Sequence, residues 1–83
     1  MYNYNIYILY NIFDNELKNT YIGKTRNWVV RKYQHKRRCN DENDKGYNLK
    51  VYKYIRKTGG FENWKMEKLT EISVENKNDK LVN

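Results

Sequence analysis

Eighty-three residues are enough for one small domain and too few for two, so any chemistry has to be built on a single modest core. Lys and Arg number 17 against 10 Asp and Glu, a net charge of +7 that meets the compositional criterion for a nucleic-acid binder. Cys39 has no second cysteine to pair with, which excludes an intramolecular disulfide or Cys-rich zinc site and points to an intracellular location; no apolar run reaches bilayer length, and the opening MYNYNIYILYNIF lacks the basic region and cleavage site of a signal peptide, so no membrane role is expected.

From Asn5 to Phe13 the chain is β-branched and aromatic, the composition of a strand, and it ends at the polar cluster DNELKN. TYIG then predicts a second short strand halted by glycine, and the two together predict an antiparallel hairpin joined by a loop. After Gly23 the period changes to that of a helix, with Asn27 as its N-cap. Val29, Val30, Tyr33 and Cys39 fall along one side of it; Arg31, His35 and Arg38 fall at i, i+4 and i+7 along another. NDENDKG, Asn40 to Gly46, reads as a loop. Leu49 to Lys57 predicts a second helix, capped by Asn48, with Leu49, Tyr52 and Ile55 at helical spacing and Gly59 ending it in a left-handed conformation. GGFENW is a turn. WKMEKLTEI alternates at Trp64 and Met66, pauses at Glu67 and Lys68, and resumes at Leu69 and Ile72, which predicts a third strand. Beyond Ile72 the polar SVENKNDKLVN fits either a frayed tail or the start of a helix. The expected fold is α+β: a three-stranded antiparallel sheet flanked by helices, in the order β-β-α-α-β.

Charge is concentrated in one place. Residues 1–20 sum to −1, residues 21–38 to +7, residues 39–60 to +2 and residues 61–83 to −1. Inside that basic segment and the strand before it, Tyr7, Tyr21, Arg31 and His35 converge if the two strands pair. Taken singly, each has an ordinary reading: tyrosines on strands are usually packing residues, a histidine on a charged helix is usually solvated, and an arginine there is usually a surface charge. Their joint spacing is what argues for a site.

At these residues the chain resembles the GIY-YIG nuclease family. The two motifs of the family name stand here as NIY (Asn5 to Tyr7) and YIG (Tyr21 to Gly23), and the arginine and histidine of its first helix match Arg31 and His35. YIGKT and VYKYIRKTGGFENW are similar to the version of the domain found in large DNA viruses and mobile elements. Asn5 replaces the family's first glycine. The resemblance implies a metal-dependent endonuclease that hydrolyses DNA phosphodiester bonds with Mg²⁺ or Mn²⁺. The family's metal-binding glutamate sits on a helix after the third strand, and the chain reads as a single domain, 1–83, ending where that helix would begin. Glu67, Glu71 and Glu75 lie outside the motif, so the metal ligand is unknown. The alternatives are a nucleic-acid-binding relative without activity and a fragment of a longer nuclease.

By the resemblance, Tyr7 activates water, directly or through a neighbour; a phenol, with its pKa near 10, needs a cation or metal-bound partner for this. His35 is the partner that takes or passes a proton. Arg31 offers a permanently charged fork for phosphate oxygens, Tyr21 orients water or phosphate, and Gly23 permits the turn from strand to helix and a close approach of substrate. Lys24, Arg26, Lys32, Lys36, Arg37 and Arg38 are expected to hold the nucleic-acid backbone without reading sequence.

Overall fold

The computed structural model describes residues 2–75. Strands β1 (Tyr2–Asn11), β2 (Tyr21–Thr25) and β3 (Trp64–Val74) form one antiparallel sheet in the order β2-β1-β3. Helices α1 (Trp28–Asn40) and α2 (Lys50–Lys57) follow β2, and a 3-10 turn at Phe61–Asn63 leads into β3. The order is the expected β-β-α-α-β, with the aromatic and β-branched first strand in the centre, paired along both edges.

β1 begins earlier than its composition suggests, because Tyr2 to Tyr4 pair with Ile72 to Val74 of a longer β3. It ends at Asn11 rather than Phe13: the Asn11 Oδ1 accepts the Phe13 N–H at 2.8 Å, turning the chain out of the ladder. The Asp14 carboxylate then gathers the N–H groups of Glu16 and Lys18 at 3.2 and 3.1 Å, which gives the loop internal order. Between β1 and β3 the register slips: Ile6 faces Thr70 but Tyr7 faces Lys68, leaving Leu69 as an extra residue. The broken alternation in the sequence is this bulge, and it lies beside Tyr7.

The core of Tyr7, Leu9, Cys39, Tyr52, Ile55, Trp64 and Met66 joins both helices to the sheet. A smaller cluster, Tyr4 and Val74 with Tyr2 and Ile72, is made of strand residues alone. Gly59 has the left-handed φ of 104° expected of it, and Asn27 caps α1 by accepting the Val30 N–H at 3.1 Å. Two expectations fail. α2 starts at Lys50 behind Leu49, with no side-chain cap from Asn48, and Leu49 is exposed. On α1 the valine side is the wrong one: Val29, Val30 and Tyr33 are 75%, 48% and 64% exposed, whereas His35 and Cys39 are buried and Trp28 and Arg31 half-buried. The surface beneath α1 carries phenol hydroxyls, which a stripe of Arg and His satisfies and a stripe of valine would leave unpaired. α2 in turn holds the end of α1, since Arg56 Nη1 donates to the carbonyls of Arg38 and Cys39 at 3.5 and 3.3 Å.

Candidate active site

The site is assembled around Tyr7, whose ring is completely buried at the centre of β1. Three rings stand around it: Trp28 edge-on at 5.8 Å between centroids, His35 at 5.7 Å and Tyr21 at 6.2 Å. Gly23 faces Tyr7 across the β1–β2 ladder. A Cβ at that position would lie 2.5 Å from Tyr7 Cζ and Oη and 2.8 Å from Tyr21 Cε1. Gly23 therefore does not make the turn from strand to helix, as the sequence suggested. β2 runs on to Thr25, and the glycine's φ is not left-handed; its missing side chain is the space the two phenol rings occupy.

α1 brings three donors or acceptors to these phenols. Arg31 Nε donates to Tyr7 Oη at 3.2 Å, its Nη2 to Tyr21 Oη at 3.4 Å and its Nη1 to Gln34 Oε1 at 3.3 Å. His35 Nε2 lies 2.6 Å from Tyr7 Oη, and its Nδ1 lies 2.9 Å from Tyr52 Oη, which also accepts from Arg38 Nη1 at 3.4 Å. The result is one continuous string, Arg31–Tyr7–His35–Tyr52–Arg38. Each guanidinium donates to its phenol oxygen, and a neutral imidazole completes the string in either direction: Tyr7 to Nε2 with the Nδ1 proton on Tyr52, or the Nε2 proton on Tyr7 with Tyr52 donating to Nδ1. Both arrangements keep the imidazole neutral.

The electrostatics agree. Burial, with the positive charges of Arg31 and Arg38 adding to it, brings the His35 pKa down to about 4, so the ring is neutral at physiological pH. Burial raises the Tyr7 phenol above its ordinary value, and the hydrogen bond and charge of Arg31 only partly oppose this. Burial also works against the charge on Arg31, but the hydrogen bonds to Tyr7 and Tyr21 outweigh it and the guanidinium stays cationic.

Access divides the predicted residues. Tyr21, Gly23, Arg31 and Gln34 line a cavity of about 790 Å³ together with Lys24, Arg26 and Asn27, whereas Tyr7 and His35 stand behind it, 0% and 1% exposed. Lys24 and Arg26 are steadied at its rim over the rings of Tyr4 and Tyr2, at 5.5 and 4.4 Å. The other basic residues are not brought to the cavity. Lys32 and Lys36 are exposed elsewhere on α1. Arg37 pairs with Asp41 and Asp44 at 3.6 and 3.4 Å, and Arg38 with Asp44 at 3.8 Å besides Tyr52. Sequence reasoning missed Tyr52, counting it only as an apolar position of α2; the signal available was its hydroxyl, which a buried tyrosine has to satisfy.

The carboxylates do not join this cluster. Glu67 accepts from Tyr10 Oη at 3.0 Å and Glu71 pairs with Lys68 at 3.1 Å. Among the described residues no group of three or more His, Cys, Asp or Glu could hold a metal ion. Nor does any described carboxylate line the cavity beside Arg31, so the residues there do not fit a divalent ion and no chemical step is assigned to one. Among the described residues no helix is long and apolar enough to cross a membrane.

A family model described as the GIY-YIG catalytic domain matches residues 3–81, nearly the whole chain. No curated protein and no solved structure matches the chain significantly.

Proposed function

The chain belongs to the GIY-YIG catalytic domain family, a nuclease-type domain whose substrate is nucleic acid, and from this premise we propose that it hydrolyses DNA phosphodiester bonds at the cavity bordered by Tyr21 and Arg31. The observation that carries the reading is the guanidinium of Arg31, fixed by two phenol oxygens and facing a cavity whose rim holds Lys24 and Arg26. Lys24 and Arg26 draw in the backbone, and Arg31 neutralises the negative charge that grows on the phosphoryl oxygens as water adds to phosphorus. Because Tyr21 Oη accepts from Arg31, its own proton is free to orient water or a phosphate oxygen in the cavity.

Tyr7 and His35 act from behind. A neutral His35 hydrogen-bonds Tyr7 Oη, which still accepts from Arg31, so the pair holds Arg31 in place and keeps it aimed at the cavity. Nucleases of this family generally depend on a divalent metal, and we propose that Mg²⁺ or Mn²⁺ is required here as well, with no described carboxylate assigned to it. An intracellular, reducing setting fits the buried free Cys39, whose thiol burial pushes up to about 11 against the opposing charge of Arg56.

Nicking of supercoiled plasmid with Mg²⁺ or Mn²⁺ tests the reading. The parent is expected to nick, Arg31→Ala to lose about 10²–10³-fold in rate, and Tyr21→Phe to lose less. An Arg31→Ala variant as active as the parent overturns the assignment of that residue. A folded parent that nicks nothing overturns hydrolysis by this chain and leaves a nucleic-acid-binding relative.

A further inference from the structure

A second cavity, of about 520 Å³, opens between α2, Trp64 and the residues that lead into β2. Its apolar part is Val51, Tyr54 and Trp64, and its rim is Lys50, Lys53 and Lys57, with Asn19 and Thr20 opposite. Tyr54 is half-buried and meets Trp64 edge-on, their centroids 5.9 Å apart; the Trp64 indole N–H donates to Thr58 Oγ1 at 3.0 Å, which fixes the floor. The spacing of Lys50, Lys53 and Lys57 puts all three on one side of α2, away from buried Tyr52 and Ile55. No carboxylate lines the cavity, and among the described residues none of these lysines takes part in an ion pair.

An apolar, aromatic floor inside a ring of unpaired ammonium groups is complementary to a nucleotide: a base has a π-face without charge, and its flanking phosphates carry the negative charge the rim lacks. The volume lies within the range of small-ligand sites. Position supports the same occupant. Thr20 borders this cavity and the next residue, Tyr21, borders the first, while α2 supplies Tyr52 to the buried string and Tyr54 to the new cavity.

We propose that this cavity is a subsite for an unpaired base of the bound strand, stacked against Tyr54 with its neighbouring phosphates on Lys50, Lys53 and Lys57, so that the domain favours single-stranded or locally opened substrate over intact duplex. The proposal rests on nucleic acid being the ligand of the first cavity. A base held in a duplex cannot enter, because its faces are already stacked.

Fluorescence anisotropy with a labelled single strand and a duplex hairpin of the same length, titrated at several salt concentrations, tests it on the whole chain. Tyr54→Leu, which keeps apolar volume for Trp64 but removes the ring, is expected to weaken single-strand binding about 5- to 150-fold and to leave duplex binding and the salt slope unchanged. Replacing Lys50, Lys53 and Lys57 together by Gln, three exposed changes that leave the core untouched, is expected to flatten the single-strand salt slope by about 2. A Tyr54→Leu variant that binds the single strand as the parent does overturns the subsite. So does a lysine variant that weakens both ligands equally, which marks only a diffuse positive surface. Plasmid nicking is read separately: Tyr54-dependent binding without nicking keeps the subsite and removes the hydrolysis, and nicking without that dependence does the reverse.

Discussion

α1 and α2 are both basic helices packed on the same sheet, yet they bury opposite kinds of residue. α2 turns Tyr52 and Ile55 inward and leaves its lysines outside, as an amphipathic helix should. α1 buries Arg31 in part and His35 almost wholly, and leaves Val29, Val30 and Tyr33 in solvent. The difference lies in what each helix covers. α2 meets an apolar part of the core, whereas α1 lies over the hydroxyls of Tyr7 and Tyr21 and faces that of Tyr52. A helix whose inward face breaks the hydrophobic pattern is giving up packing energy for a set of hydrogen bonds, which locates the site on α1 independently of any motif.

The largest expected effect that separates the helices is on pH dependence. His35 titrates near 6.5 when unfolded and at about 4 when folded, so the folded chain binds fewer protons between those values. Its neutral burial contributes stability that is whole above pH 6.5 and is lost as pH falls towards 4, on the order of 3 kcal/mol in total. Urea unfolding at intervals across that range should show the parent losing about this much more than a His35→Gln variant, which can hydrogen-bond without titrating. Parallel curves for the two would mean that His35 is solvated and that α1 does not bury a polar stripe at all.

A smaller effect is expected where the two helices meet. Tyr52→Phe keeps the ring in the core of α2 but removes the oxygen that His35 Nδ1 and Arg38 Nη1 share. The loss should be about 1–3 kcal/mol in unfolding free energy, the cost of leaving a buried polar group unpaired. Phe at position 54, a half-buried tyrosine for which no hydroxyl bond is seen among the described residues, should change stability by less than about 0.5 kcal/mol. Equal effects at the two positions would show that the string of hydrogen bonds does not extend into α2.

What could be read from the sequence was whatever is decided locally. The strand composition around Ile6 to Leu9, the Asn27 cap and the left-handed Gly59 each depend on a few neighbouring residues, and each stands where expected. The convergence of Tyr7, Tyr21, Arg31 and His35 was legible because strand pairing and helix period together force it. The rest depends on surfaces that meet only in the fold. The inward face of α1 could not be known without the phenols beneath it. Tyr52 looked like any apolar position until His35 supplied its partner. Gly23 looked like a turn residue until the rings of Tyr7 and Tyr21 were seen to fill the place of its side chain. The bulge at Leu69 showed only as a lapse in alternation.

The smallest expected effect is also the most direct way to break the comparison, because it concerns residues that look like a core and are not one. If α1 buries its polar side, Val29→Ser and Val30→Ser should each shift the urea midpoint by no more than about 0.5 kcal/mol in stability, the usual range for exposed positions. Ile55→Ala on α2 should cost about 2–5 kcal/mol, since that side chain is fully buried. A cost of 2 kcal/mol or more at either valine would return α1 to an ordinary amphipathic helix. Arg31 would then face solvent, its hold on Tyr7 and Tyr21 would be gone, and the cavity would lose the one cation aimed into it from α1.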